Sequence, residues 1–231
     1  MAQTSTTLSG AKSHIENITG TAGSETIKGD NNANILIGGN SNPSGDDIIY
    51  GYGGDDRLVT GGSNAGVSTN TLYGGAGDDT LIGDSGDETM DGGTGADTLT
   101  GSIGVDTFIL RVGCGGASIA DADTFTDFTV GTDLIGLDNS LTFADLTIEQ
   151  GTGSYSSHTI IKAGLEYLAI VQNITASDLT DSSFTPVNIN ESGTENASLF
   201  LGSGLSLDNS SLSFSFVDNS NSISDEGKGF N

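Results

Sequence analysis

Side chains that carry an oxygen recur at one position of a repeated segment between residues 20 and 109. They are Glu25, Asn34, Asp47, Asp56, Asn70, Asp79, Glu88, Asp97 and Asp106. Carboxylate and amide oxygens are ligands of hard cations, and calcium takes about six to eight oxygens at roughly 2.3 to 2.6 Å. The column therefore predicts several calcium sites.

Glycine-rich turns beside this column expose backbone carbonyls that can complete such sites. The glycines predicted to contribute are Gly54, Gly75, Gly77, Gly86, Gly93 and Gly95. Magnesium suits these loose turns poorly because it demands a strict octahedron. Zinc lacks its usual ligands, since the chain has one cysteine, Cys114, and two histidines, His14 and His158.

The elements that must position these ligands are units of nine residues. Units begin at Gly20, Gly29, Gly38, Gly51, Thr60, Gly74, Gly83, Gly92 and Gly101, and those from Gly38 and Thr60 carry extra turn residues. The ligand column is position six. Position eight is always apolar: Ile27, Leu36, Ile49, Leu58, Leu72, Leu81, Met90, Leu99 and Phe108. Positions seven to nine are predicted to form a short strand that points the eighth residue inward, because side chains alternate along a strand.

Six turn residues then reverse the chain, so that two units make one coil. Successive strands fall on opposite sheets, and units two apart stack at about 4.8 Å. One apolar residue per strand gives a thin core, which offsets little of the backbone entropy lost on folding. Bound cations are therefore expected to stabilise the coil.

The run from Gly74 to Ile82, followed by three further units without a gap, resembles the RTX or haemolysin-type calcium-binding family. The resemblance covers residues 20–109 and implies an all-β fold, a parallel β-roll or β-solenoid. It also implies that each calcium ion lies between two turns on the same side of the roll. Asn34, Asp56, Asp79 and Asp97 then share one side, the even edge. Glu25, Asp47, Asn70, Glu88 and Asp106 share the other, the odd edge.

Outside the repeats we expect a lead-in over residues 1–19, a β-rich cap over 110–187 and a tail rich in serine, asparagine and glycine over 188–231. Alternating patterns predict cap strands within Asp123–Phe128, Gly131–Leu137, Leu141–Ile148 and Thr159–Val171. Cys114 is expected to be buried, and Glu166 to lie at the surface. The resemblance makes the tail a candidate signal for a type I secretion system, although its last residues, Gly227–Asn231, depart from the acidic-then-apolar ending of some members.

The net charge and the absence of certain catalytic motifs restrict the range of possible functions. The 31 acidic and 6 basic residues give a net charge of −25, which argues against nucleic acid and anionic membranes as partners. No apolar stretch has membrane-spanning length, and no cleavable N-terminal export signal is visible. Neither a His-Glu-x-x-His nor a Gly-x-Ser-x-Gly motif is present.

We therefore expect a secreted or cell-surface calcium-binding protein that is not an enzyme and folds when it binds calcium outside the cell. The alternative is a surface binder for a glycan or an ice-like lattice. Its face would be the outward threonines at position seven, together with Tyr50 and Tyr73. Threonine is also simply a good strand former.

Overall fold

The computed structural model describes residues 17–21, 23–39, 45–61, 68–138 and 140–189. The predicted secretion tail lies outside the described residues except for its first two. The added turn residues at 40–44 and 62–67 also lie outside them.

The strands form two sheets, and successive strands alternate between the sheets up to residue 137. The first sheet pairs, in order, β1 (Asn17–Thr19), β3 (Ile35–Ile37), β5 (Arg57–Val59), β7 (Thr80–Ile82), β9 (Thr98–Thr100), β11 (Asp123–Phe125), β15 (Glu166–Val171), β14 (Thr159–Ala163) and β13 (Leu146–Gln150). The second pairs β16 (Phe184–Pro186), β12 (Leu134–Leu137), β10 (Thr107–Leu110), β8 (Asp87–Thr94), β6 (Thr69–Ala76), β4 (Ile48–Gly53) and β2 (Thr26–Lys28). The prediction of an all-β parallel β-roll is confirmed.

Parallel pairing joins strands of units two apart in the predicted register. Leu58 pairs with Leu81 and Leu81 with Leu99 in the first sheet, while Ile49 pairs with Leu72 in the second. Ile27 is 5 % exposed and the other eight position-eight side chains are fully buried. The thin core predicted from one apolar residue per strand is therefore the core of the roll.

Both sheets continue beyond the last repeat. β11 pairs with β9 and β12 with β10, both in parallel register. Phe125 therefore stacks on Leu99, and its ring centroid lies 4.7 Å from that of Phe108. β13, β14 and β15 then form an antiparallel meander. The repeat core thus merges with an aromatic core at the cap.

Short 3-10 helices connect the cap strands, at Ile119–Asp121, Phe143–Asp145, Gly153–Tyr155, Ala176–Asp178 and Asp181–Ser183. Within the described residues, none of the helices is long and apolar enough to cross a membrane. Cys114, expected to be buried, is half-buried. Glu166, expected at the surface, is half-buried and its Oε1 accepts hydrogen bonds from the backbone N–H groups of Gly113 and Gly115, at 2.8 and 3.0 Å.

Strands β4, β6 and β8 extend into the turns that follow them. Gly75 pairs with Gly93 and Ala76 with Thr94, so the parallel ladder runs through the turns of the even edge. This close stacking requires glycine at Gly75, where φ is +114° and an added Cβ would overlap the carbonyl oxygen of Tyr52.

We predict that Gly75→Ala lowers the free energy of unfolding by clearly more than about 1 kcal/mol, because it adds steric overlap to left-handed backbone strain. Gly131→Ala is the matched control: its φ is +81°, and an added Cβ would meet nothing within 4 Å. Urea unfolding of both variants in excess calcium measures the difference. Equal losses would show that the stacked turns do not restrict position two.

Candidate functional site

All nine position-six side chains lie inside the turns, and each is at most 7 % exposed. They are Glu25, Asn34, Asp47, Asp56, Asn70, Asp79, Glu88, Asp97 and Asp106. Seven of them are acids in a protein with only six basic residues. Buried carboxylates need hydrogen bonds and a compensating charge to remain ionised.

One oxygen of most of these side chains joins a ladder of hydrogen bonds along each edge. On the even edge, the N–H groups of Asn34, Asp56 and Asp79 donate to Oδ1 of Asp56, Asp79 and Asp97, at 2.7, 2.7 and 2.8 Å. On the odd edge, Glu25 N–H donates to Asp47 Oδ1 and Glu88 N–H to Asp106 Oδ1, both at 2.9 Å. Each side chain thus reaches back to the equivalent residue two units earlier, so the position-six side chains form two separate ladders.

In four of these side chains the second carboxyl oxygen lacks a hydrogen-bond partner. Oδ2 of Asp56, Asp79 and Asp97 and Oε2 of Glu88 are buried and have no hydrogen-bond partner. Loss of hydration raises the pKa of Asp79 and Glu88 to about 8 and that of Asp56 and Asp97 to about 7, although hydrogen bonds from backbone or side-chain N–H groups act in the opposite direction. An unpaired oxygen of this kind fits a bound cation.

A backbone carbonyl lies beside the free oxygens of Asp56, Asp79 and Glu88. A Cβ added to Gly74 would overlap both Asp79 Oδ2 and the carbonyl oxygen of Gly92, which is the first residue two units later. The same geometry recurs at Gly51, with Asp56 Oδ2 and the Gly74 carbonyl. Side-chain and carbonyl oxygens converge at position one in six of the units, and Oδ2 of Asp97 and of Asp106 lies against Gly92 and Gly101. This crowding explains why eight of the nine units begin with glycine.

The predicted glycine ligands lie at positions two and four of their turns. Gly54, Gly75, Gly77, Gly93 and Gly95 have positive φ, whereas Gly86 does not. The carbonyl oxygens of Gly54, Gly75, Gly77 and Gly86 each lie where a Cβ of the glycine two units later would be. Among the described residues, no three histidine, cysteine or acidic side chains meet at one point. A cation in these turns must therefore be held largely by such carbonyls.

Two acids outside the repeats continue the column, and the sequence analysis missed both. Asp123 Oδ1 accepts from Asp97 N–H and Asp133 Oδ1 from Asp106 N–H, both at 3.1 Å. Asp123 and Asp133 lie 26 and 27 residues beyond their partners, without the nine-residue spacing. The only signal in the sequence was the Asp-Thr-Phe and Asp-Leu-Ile phrases, which match positions six to eight.

A second row of acids at position five has a different environment. Asp55 Oδ1 accepts from Asp78 N–H at 3.0 Å, and Asp78 Oδ1 from Ala96 N–H at 2.9 Å. On the odd edge, Asp87 Oδ1 accepts a hydrogen bond from Val105 N–H at 2.9 Å. These hydrogen bonds are exposed to solvent, so the position-five row stacks the turns without needing a buried cation.

A family model for the RTX calcium-binding nonapeptide repeat matches the chain in four copies, at residues 15–42, 44–66, 64–99 and 82–113. The matched segments contain every predicted site residue. The roll is built of RTX calcium-binding repeats. The repeat family binds calcium, which is the cation that the oxygen-only ligand set predicts.

Solved structures similar to this chain include an extracellular lipase from Serratia marcescens, at 16 % identity and a TM-score of 0.37. The likeness covers 76 % of this chain, which spans 40 % of the lipase. A subunit of the mannuronan C5-epimerase from Azotobacter vinelandii is 20 % identical at a TM-score of 0.31, over 92 % of this chain and 99 % of that one. Neither TM-score is high enough to carry a conclusion. None of the curated proteins compared with the chain matches it.

The two edges of the RTX roll differ. Three successive free carboxylate oxygens lie on the even edge, at Asp56, Asp79 and Asp97. On the odd edge the unit from Thr60 departs from the pattern: Thr60 stands where other units have glycine, and its Oγ1 is buried without a partner. Asn70, the sixth residue of that unit, donates from Nδ2 to Glu88 Oε1 at 2.9 Å. The even edge therefore has the more regular set of anionic ligands.

Proposed function

We propose that this chain is an extracellular module that folds only when calcium fills its turns, and that it has no catalytic role of its own. The observation that carries the proposal is the series of buried carboxylate oxygens that lack any partner. When these buried carboxyls are ionised and no cation is bound, they have lost their hydration and repel one another across stacked turns. Calcium removes the repulsion and completes the oxygens' coordination.

Energetics favour coupling of folding to binding. The repeats bury one apolar side chain per strand, which is little for a backbone that must be ordered in full. Because an unfolded chain has no preformed turns, the free energy of calcium binding becomes free energy of folding. Extracellular modules bind calcium at about 10⁻⁴ to 10⁻³ M. Cytosolic calcium is far lower, so the chain would leave the cell unfolded and fold outside.

Limited proteolysis of the full chain tests this proposal. In millimolar calcium we expect a resistant fragment that contains the roll and the cap, because these residues form continuous sheets. In excess chelator the same protease should degrade the whole chain. A fragment of the same size that persists in chelator would show that calcium is not needed for folding.

Export by a type I secretion system is the second part of the proposal, and its support is the composition and position of the tail. Deleting residues 188–231 should keep the protein inside the producing cells. Calcium-induced folding of the purified truncated chain should remain unchanged, because the repeats and the cap precede the deletion. Normal amounts of truncated protein in the medium would contradict this role for the tail.

The alternative, a surface binder for a glycan or an ice-like lattice, is supported by two rows of aligned threonines. Thr71 pairs with Thr89 in one sheet and Thr80 with Thr98 in the other. The arrangement of the tyrosines argues against this alternative. The rings of Tyr50 and Tyr73 stack on each other with centroids 4.9 Å apart, and Lys28 Nζ lies 5.1 Å from the Tyr50 centroid. These contacts use the ring faces that would stack on a sugar. A glycan array and an ice-recrystallisation assay would test the alternative.

A further inference from the structure

The even edge of the roll does not stop at the last repeat. Gly77 N–H donates to the Thr94 carbonyl at 2.9 Å, and Thr98 N–H donates to the Asp79 carbonyl at 2.8 Å, which is how consecutive turns of this edge stack. The same two bonds recur one level later. Gly95 N–H donates to the Cys114 carbonyl at 3.4 Å, and Thr124 N–H donates to the Asp97 carbonyl at 2.7 Å. The loop Gly113–Asp123 therefore takes the place of one more turn, although it lacks the repeat sequence.

Asp123 has the position-six role in this loop. It is 4 % exposed, its Oδ1 accepts the Asp97 N–H at 3.1 Å, and its carboxyl group contacts that of Asp97. Asp97 Oδ2 is buried without a partner. Two adjacent buried carboxyl groups cannot both be ionised unless a cation lies beside them; without one, they share a proton.

We propose that Asp97 and Asp123 hold a calcium ion between the turn Gly92–Asp97 and the loop Gly113–Asp123, and that this ion joins the roll to the cap. The proposal rests on the calcium binding proposed above. It adds a site in which one of the two turns is not an RTX repeat. Carbonyl oxygens of both turns would complete the coordination, as hard cations in turns require.

The loop is already attached to the cap on its other side. Glu166 Oε1 accepts from the N–H groups of Gly113 and Gly115, and Tyr167 N–H donates to the Gly116 carbonyl at 2.8 Å. Asp123 itself pairs with Ala169 of β15. An ion bound by Asp97 and Asp123 would thus order the loop that links the repeats to β15.

The odd edge ends without such a site. Asp133 Oδ1 accepts from Asp106 N–H at 3.1 Å and its Oδ2 from Thr129 N–H at 2.7 Å, so both oxygens have backbone partners. Asp127 accepts from the N–H groups of Gly101 and Ser102, at 3.0 and 2.8 Å. Hydrogen bonds take the place of an ion at this end, which makes Asp133 a matched control for Asp123.

The test compares the full-length wild-type chain with Asp123→Asn and Asp133→Asn. Asparagine keeps an oxygen for the ladder hydrogen bond, removes the charge and replaces the second oxygen with an NH2 group. Asp133→Asn therefore also loses the hydrogen bond from Thr129 N–H. Native mass spectrometry in calcium should find one ion fewer in Asp123→Asn than in the wild type, and no change in Asp133→Asn. Alkylation of Cys114, the single cysteine, reports on the same loop. Calcium should protect Cys114 in the wild type and in Asp133→Asn, but less in Asp123→Asn, at calcium concentrations where circular dichroism shows all three folded.

An unchanged ion number together with full protection of Cys114 in Asp123→Asn would overturn the site and leave the proposed function standing. A wild-type chain that binds no calcium would instead overturn the proposed function. If Asp123→Asn does not fold in calcium, Asp123→Glu decides, because Glu25 and Glu88 show that position six accommodates glutamate. Asp123→Glu must then fold and keep the wild-type ion number, and a lower number contradicts the site.

Discussion

Asp79→Ala is expected to raise the calcium concentration at the midpoint of folding by about tenfold or more, equivalent to about 1.4 kcal/mol. Asp79 is the central member of the even-edge column. Its Oδ1 accepts a hydrogen bond from Asp56 N–H, and its Oδ2, which has no hydrogen-bond partner, lies beside the Gly92 carbonyl. We therefore expect it to affect the sites on both sides of its turn, because ligand charge and site rigidity set calcium affinity.

Asn70→Ala and Glu88→Ala are the matched comparisons on the odd edge and should give smaller shifts. Asn70 carries no charge, and one oxygen of Glu88 is already bonded to the Asn70 amide. Calcium titrations of the three variants by circular dichroism, at one protein concentration, measure the midpoints. Equal shifts, or a larger shift for Glu88→Ala, would show that the ranking of the two edges is wrong.

Acidification of the metal-free chain is expected to restore part of its β structure. Burial raises the pKa of Asp79 and Glu88 to about 8 and of Asp56 and Asp97 to about 7, whereas in the unfolded chain these groups titrate near 4. Between these values the folded chain binds more protons than the unfolded chain. The contribution of these carboxyls to stability is thus fully present below about pH 4 and is lost as pH rises through 7 to 8.

Calcium reverses this dependence, because protons compete with the ion for the same oxygens. In chelator, lowering the pH from 8 to 5 should increase the β signal in circular dichroism. In calcium, the same change should raise the midpoint concentration. A β signal in chelator that is highest at pH 8 would contradict the buried, unpaired state of these carboxyls.

The repeat made most of the roll predictable. An apolar eighth residue can be buried in every unit only if successive strands alternate between two sheets, and this fixes which units stack. The pairing of Leu58 with Leu81 and Leu99 follows directly. Position six then lies in the turn just before each strand, so the two edges of acids also follow from the spacing.

Features that depend on the neighbouring coil were not predictable in this way. Asp123 and Asp133 complete the two columns only because longer loops bring them back into register. These loops break the nine-residue spacing, so the sequence pattern does not reveal the two residues. The need for glycine at position one could not be predicted either. It arises because a side-chain oxygen of the same unit and, in most units, a carbonyl of a later unit lie where a Cβ would be. Glu166 acts on the Gly113–Gly115 backbone some 50 residues earlier, a separation at which no local pattern applies.

Far-UV circular dichroism of the purified full-length chain at neutral pH tests the central claim most directly. In excess chelator the spectrum should be that of a largely unfolded chain, and millimolar calcium should convert it to a β spectrum in a reversible, cooperative transition. Magnesium at the same concentration should not reproduce the change, because its strict octahedral coordination does not suit carbonyl-rich turns. A β spectrum that is already complete in chelator and unchanged by calcium would contradict the account.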